Sequence, residues 1–230
     1  MVFAMILASG TGSRMGHTDC PKQFLVVNNK PIIVHTIEAF NQNKQIDEIL
    51  IVTSKEYVLK VQEWAKKYHL DKVKNVVCGG LSRQESVYHG LEFLKDRGIN
   101  DNDIVLIHDV VRPLVSQKII DDNIDGVKKY GAVSTAIVAS DTIFKSIEGK
   151  SINEILDRSE LYLGQTPQSF FFHIILKAHE LAKLNNDMTA TDDCRLVLKY
   201  GHDVHLIEGS KYNFKITTQD DLKIYEALLK

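Results

Sequence analysis

Val2-Phe3-Ala4-Met5-Ile6-Leu7 runs directly into Ala8-Ser9-Gly10-Thr11-Gly12-Ser13-Arg14-Met15-Gly16, and Pro21-Lys22-Gln23 comes close behind. An unbroken apolar run of this length reads as a strand buried on both faces. The stretch after it holds glycines, small hydroxyl residues and an arginine, and Lys22 follows. Backbone N–H groups that can approach closely, with two cations in reach, are what a polyphosphate needs. A buried strand feeding such a loop opens an α/β fold and points to a nucleoside triphosphate.

The rest of the chain repeats the alternation. Strands are expected at 48–53, 73–78, 104–108, 132–139 and 203–208. Helices are expected at 32–41, 57–68, 83–96, 118–130, 171–184, 194–200 and 218–229. Continuous apolar strands alternating with amphipathic helices give a largely parallel sheet covered on both faces. Segments 142–146 and 151–156 flank Glu148-Gly149 and read as a hairpin projecting from that sheet. No linker or repeat interrupts the pattern. One domain over 1–230 with an inserted β-arm at about 141–160 is the simplest organisation.

Composition narrows the function classes. The chain has 230 residues, 44% hydrophobic and 25% charged, with net charge -2. That balance makes no case for nucleic-acid or membrane binding. Cys20, Cys78 and Cys194 are scattered without a CxxC pair, as expected of free thiols in a reducing cytoplasm. The His residues are dispersed, which argues against zinc and against a His-based nucleophile, and no G-x-S-x-G is present.

In an open α/β sheet, ligands bind beyond the carboxyl ends of the strands. Three suggestive loops follow strands here: 10–22, 79–86 and 109–113. The first is not a P-loop, since GxxxxGK[ST] is absent. It is also a poor dinucleotide fingerprint, because Gly16 comes one residue late and no carboxylate follows the second strand. Asp109 ends an apolar strand, where an acid is either a cap or a Mg²⁺ ligand. Arg112-Pro113 puts a cation beside it. Thr191-Asp192-Asp193 reads as the cap of the helix at 194–200. Lys215 lies on a strand-like run, 213–217, where a lysine is usually only exposed.

Taken together, LASGTGSRMG, PKQF, GG-x-x-R-x-x-SV (79–87), HD-x-x-RP (108–113), Asp141-Thr142, Arg158, QTPQ (165–168), TDD (191–193) and N-x-K-x-T (213–217) occur in one order. The set resembles the cytidylyltransferases that activate polyol phosphates, and it covers nearly the whole chain. One branch is the methylerythritol-phosphate enzyme of isoprenoid synthesis; another acts on ribitol 5-phosphate. The resemblance implies a mostly parallel, Rossmann-like nucleotidyltransferase sheet with a protruding β-arm used for dimerisation. It implies attack of a polyol phosphate on the α-phosphate of CTP, with Mg²⁺ as cofactor.

The same resemblance implies roles. Arg14, Lys22 and Lys215 would be catalytic, stabilising charge on the triphosphate. Leu7, Ala8, Ser9, Gly10, Gly12, Ser13, Gly79, Gly80, Arg83 and Ser86 would bind CTP, with main-chain groups and the Ser86 hydroxyl reading the cytosine. Asp109, Arg112, Thr142 and Thr166 would hold the acceptor, together with Arg158 delivered by the arm of a partner copy. Asp109 would also carry the metal.

Tyr212 stands where the methylerythritol branch commonly has Asp, which leans the acceptor toward ribitol 5-phosphate. The run Gly164-Gln165-Thr166-Pro167-Gln168 leans the same way, and Val110-Val111 reshapes the neighbourhood of Asp109. The segment from Arg83 to Leu91 reads more like the methylerythritol branch, which stays as the alternative. Two other classes are a nicotinamide-dependent oxidoreductase and a catalytically silent sugar-nucleotide-binding module. The poor fingerprint opposes the first, and the intact cations oppose the second.

Overall fold

The opening strand, β1 (Val2–Ala8), lies inside the main sheet with a neighbour on each side. The computed structural model describes residues 1–10 and 21–229. Phe3, Met5 and Leu7 face one helical layer, and Ala4, Ile6 and Ala8 face the other, following the two-residue period of a strand. Both sets are buried, so the sequence shows an unbroken apolar run rather than an alternating one.

After β1 come a small ladder of β2 (Val26–Val27) and β3 (Lys30–Pro31), then α1 (Ile32–Gln42), β4 (Glu48–Thr53), α2 (Val58–Lys67) and β5 (Val73–Cys78). The chain continues through α3 (Arg83–Asp96), β6 (Ile104–Asp109), α4 (Gln117–Tyr130) and β7 (Ala132–Val138). The arm follows as β8 (Phe144–Lys145) and β9 (Glu154–Ile155), and then β10 (Tyr162–Phe171) returns to the sheet. The chain closes with α5 (Phe172–Leu184), α6 (Asp193–Lys199), β11 (His205–Glu208) and α7 (Gln219–Leu228).

The seven-stranded sheet has the order β11-β7-β10-β6-β1-β4-β5. β1 pairs parallel with both β4 and β6, so the chain steps out to one side, then crosses back to the other. That reversal is the switch point where open α/β sheets bind ligands. Register keeps the strand ends level: Leu7 sits opposite Asp109, Ala8 opposite Thr53, and Thr53 opposite Cys78. Three loops distant in sequence are thereby brought to one edge.

β10 runs against both neighbours. No strand was expected at 162–171, because Gly164 and Pro167 interrupt the pattern and Pro cannot donate to a ladder. The sheet accommodates both at a register shift between Gly164 and Gln168. The run 213–217 forms no strand, contrary to the expectation for Lys215. Its main chain is instead tied at single points, as when Ile216 N donates to Val111 O at 2.9 Å.

The helices end where their caps place them. Ser82 caps α3 by accepting from Glu85 N, and Ser116 caps α4. Thr218 and Asp221 form a reciprocal capping box on α7. The hairpin expected at 142–156 is present, with Phe144 opposite Ile155 and Lys145 opposite Glu154. Almost none of it is buried against the chain's own sheet.

Candidate active site

Above the ends of β1 and β6 lies a cleft of about 300 Å³. That is the lower end of the size that holds small ligands. Leu7, Ser9 and Gly10 form its floor, and Gly80, Leu81, Ser82 and Arg83 form one wall. Lys22, Gln23, Asp109, Val110, Val111 and Lys215 complete it. The predicted Lys22, Lys215, Leu7, Ser9, Gly10, Gly80, Arg83 and Asp109 are thus brought together. Thr11, Gly12, Ser13, Arg14, Gly16 and Cys20 lie outside the described residues.

Lys22 is not the solvated surface charge that a loop lysine usually is. It opens a 3-10 turn, Lys22–Phe24, and is only 8% exposed. Phe24 anchors that turn, with its ring 4.4 Å from Tyr57 and 5.4 Å from Trp64. Gln23 ties the turn to the first loop. Its amide nitrogen donates to Ala8 O at 2.8 Å and Gly10 O at 2.9 Å. Nothing in the sequence marks Gln23 for this role except its place beside Lys22 in the PKQF motif.

The second loop is held by the Ser86 hydroxyl. It lies 2.8 Å from Ser9 Oγ, donates to Ser82 O at 2.8 Å, and accepts from Gly80 N at 3.1 Å. Ser86 is fully buried, so it shapes the cleft wall from behind. Gly79 packs against the same hydroxyl: a Cβ there would meet Ser86 Oγ at 2.8 Å and Ser9 Cβ at 3.0 Å. Small residues are required because two loops cross in contact.

Asp109 is the electrostatic centre. Lys215 Nζ donates to its Oδ2 at 2.8 Å, Arg112 Nε lies 3.6 Å from Oδ2, and Arg83 Nε lies 3.7 Å from Oδ1. Burial opposes its charge, but Lys215, Arg83 and Arg112 overcome that and hold the carboxyl well below the usual range. Burial also opposes the charge on Arg83, and Asp193 and Asp109 outweigh it, so its pKa is raised. Among the described residues, Lys22, Arg83 and Lys215 line the cleft, Arg112 lies beside Asp109, and Asp109 is the one carboxylate in the lining. Such a site draws anions.

Arg112 and Thr166 sit beneath this centre. Arg112 Nη1 donates to Asn213 O at 2.8 Å. Asn213 Nδ2 donates in turn to Thr166 O at 2.9 Å and Gln165 Oε1 at 3.1 Å, which pins the loop that carries Lys215. Asp109 N donates to Thr166 Oγ1 at 3.1 Å, and Thr166 Oγ1 lies 3.0 Å from His108 Nδ1. His108 Nε2 lies 3.1 Å from Arg112 O. The chain of bonds closes with His108 neutral and its proton on Nε2. Thr142 and Arg158 are not brought to this cleft by the chain's own fold. Both are exposed on the arm, where Arg158 Nη1 donates to Ser140 O at 3.1 Å.

His108 makes a stability prediction. Burial lowers its pKa from 6.5 to about 4. Between those values the unfolded chain takes up a proton that the folded chain refuses. Stability is therefore complete above pH 6.5 and falls as pH drops toward 4, by roughly 3 kcal/mol in all. Asp109 and Asp193, whose pKa values are lowered, act only below the ordinary carboxylate range. Urea denaturation at pH 7 and pH 5 is expected to show the loss in the natural chain and a flatter response in His108→Gln. Equal pH slopes in the two would refute the assignment.

The cap expected at 191–193 divides into two jobs. Asp192 caps α6, its Oδ1 accepting from Cys194 N at 2.9 Å and Arg195 N at 3.3 Å. Asp193 instead turns its side chain inward to Arg83, at 2.7 Å, and to His179, at 3.1 Å.

A mostly parallel sheet with a glycine-lined, cation-rich cleft over its switch point defines an α/β protein of the nucleotidyltransferase type. The chain belongs to the IspD family, 2-C-methyl-D-erythritol 4-phosphate cytidylyltransferase, whose model matches residues 2–230. It is 41% identical to the ribitol-5-phosphate cytidylyltransferase of Lactiplantibacillus plantarum, over 100% of this chain and 99% of that protein. A crystal structure of 4-diphosphocytidyl-2C-methyl-D-erythritol synthase superposes with a TM-score of 0.84 at 26% identity, covering 100% of this chain and 98% of that one. The Francisella tularensis 2-C-methyl-D-erythritol 4-phosphate cytidylyltransferase gives 0.81 at 29% identity, covering 98% of both chains. The family is one of cytidylyltransferases, and this chain is a nucleotidyltransferase of that kind. Among the described residues no helix is long and apolar enough to cross a membrane.

Proposed function

We propose that the chain transfers the cytidylyl group of CTP to D-ribitol 5-phosphate, releasing diphosphate. The observation that carries the acceptor is the 41% identity, end to end, with a ribitol-5-phosphate cytidylyltransferase. The methylerythritol-phosphate structures stand at 26% and 29%. Tyr212, in place of the Asp that the methylerythritol branch commonly has, supports the same choice. Methylerythritol 4-phosphate is the second reading, favoured by the family match over 2–230.

An oxygen of the acceptor phosphate forms a bond to the α-phosphorus of CTP. The bond from that phosphorus to the bridging oxygen breaks, and its electrons leave with diphosphate. Such a transfer needs position and charge neutralisation more than covalent help. Lys22 and Lys215 border the cleft from different loops and would take the charge that grows on the triphosphate, together with Arg14. Main-chain groups of Ala8 to Gly10 and of Gly79-Gly80 suit a small pyrimidine.

Mg²⁺ fits in one way. Among the described residues no three His, Cys, Asp or Glu side chains gather into a cage. Magnesium commonly takes one or two carboxylates and completes its shell with waters and substrate phosphates. Asp109 already faces Lys215, Arg112 and Arg83, so it would accept only an ion whose charge arrives offset by the triphosphate. When bound, that ion would neutralise phosphate charge.

The arm completes the proposal. Phe144, Ile147, Ile152 and Ile155 are each more than half exposed on it, an apolar surface that suits pairing with a second copy. A homodimer in which Arg158 crosses to the partner's acceptor site would account for its distance from the chain's own cleft. Arg158→Ala is then expected to raise the acceptor KM at least about tenfold and to leave the CTP KM nearly unchanged, since paired guanidinium bonds suit a phosphate monoester. Equal shifts in the two would count against the arm.

The deciding experiment measures diphosphate release from CTP and Mg²⁺ with ribitol 5-phosphate, methylerythritol 4-phosphate and related polyol phosphates. The highest kcat/KM is expected with ribitol 5-phosphate. A preference for methylerythritol 4-phosphate transfers the assignment to the second reading, and no release with any acceptor sinks both.

A further inference from the structure

Behind the cleft, one carboxylate gathers three helices. Asp193, 1% exposed, stands at the start of α6. Its Oδ2 lies 2.7 Å from Nη1 of Arg83, the first residue of α3. Its Oδ1 lies 3.1 Å from Nε2 of His179, on α5. The His179 ring lies parallel to Tyr88, with 6.4 Å between centroids. Asp193 N is fixed too, donating to Gln168 Oε1 at 3.3 Å. The cap is already supplied by Asp192, so this buried charge is not needed to start α6.

Arg83 alone in this group reaches the cleft wall, where its Nε lies 3.7 Å from Asp109 Oδ1. A buried ion pair is a poor way to stabilise a packed helix junction, because desolvation offsets most of its attraction. It is an effective way to hold a long, flexible guanidinium in one place before an anion arrives.

We propose that Asp193, seated by His179, is a positioning residue that fixes Arg83 in the nucleotide cleft for CTP. This rests on the reading of the cleft as a CTP site. Without the Asp193 charge, Arg83 keeps its own charge but loses its orientation, and the effect falls on CTP rather than on the polyol phosphate.

A double-mutant cycle tests it with the full chain, CTP, Mg²⁺ and ribitol 5-phosphate or whichever acceptor is turned over. Asp193→Asn keeps size and one acceptor oxygen but removes the charge. It is expected to raise the CTP KM at least tenfold, with the acceptor KM within threefold. Added to Arg83→Ala, it is expected to change the CTP KM by less than twofold, since effects acting through one group do not add. Multiplicative losses in the double variant, or equal shifts for both substrates, mean that Asp193 acts only as a structural brace and overturn the proposal. A CTP KM unchanged in Asp193→Asn overturns it as well.

If Asp193→Asn does not fold, His179→Phe keeps a ring against Tyr88 while removing the donor to Asp193. It is expected to raise the CTP KM three- to fivefold, and to do nothing further beside Arg83→Ala. No rise, or a further rise beside Arg83→Ala, overturns the proposal. The CTP reading fails separately, by absence of diphosphate release from the natural chain with any acceptor.

Discussion

Replacing Lys215 by alanine is expected to lower turnover about 10²-fold or more while the fold survives. A cation placed where charge develops is worth that much in a transition state. Lys215 lies on an irregular segment that is held without it: Ile216 N binds Val111 O, and Asn213 Nδ2 binds Thr166 O and Gln165 Oε1. The side chain is about one-third exposed, so its removal leaves no cavity in the core. What is lost is the ammonium group 2.8 Å from Asp109, at the edge of the cleft. Diphosphate release measures the rate, and a urea midpoint near that of the natural chain confirms the fold. A natural rate would show that Lys215 serves only Asp109.

Asp109→Asn is expected to act on both stability and rate. Its carboxylate is the shared counter-charge of Lys215, Arg112 and Arg83, and Arg112 is itself buried. Removing one partner of a buried charge cluster costs about 3 kcal/mol, because the remaining charges have been taken from water without compensation. The amide preserves volume, so packing contributes little. Turnover is expected to fall as well, since Lys215 loses the carboxylate that it donates to and, on the proposed reading, magnesium would lose its protein carboxylate. Urea denaturation at pH 7 reads the stability, and the rate is read at saturating CTP. A midpoint equal to that of the natural chain would mean that the cations are satisfied elsewhere.

These two expectations start from residues that the sequence does not display equally. Asp109 is legible because it terminates an apolar strand, where a charge demands a reason. Lys215 is not, because a lysine in an extended run is usually solvated; its importance entered through the ordered motifs. Gln23 and His179 escaped notice for a physical reason. A buried polar side chain is recognised by its partners, and theirs lie 13 and 14 residues away in sequence. Asp193 looks like a cap in sequence because Asp192 beside it is one, but its side chain turns inward to Arg83. β10 is hidden in the sequence because Gly164 and Pro167 break the period that identifies a strand.

Local physics settled the elements. Unbroken apolar runs made buried parallel strands, Ser82 and Thr218 started helices, and Gly79 let two loops cross in contact. Burial and capping act over a few residues, so a linear chain carries them in full. The tertiary structure settled which loops meet. The pairing of Leu7 with Asp109, and of Thr53 with both Ala8 and Cys78, brings the ends of four strands to one edge. The reversed β10 brings Thr166 under Asp109, and the inward turn of Asp193 sets Arg83. Those contacts depend on register and on long-range charge pairing, which only the assembled sheet with its packed helices creates.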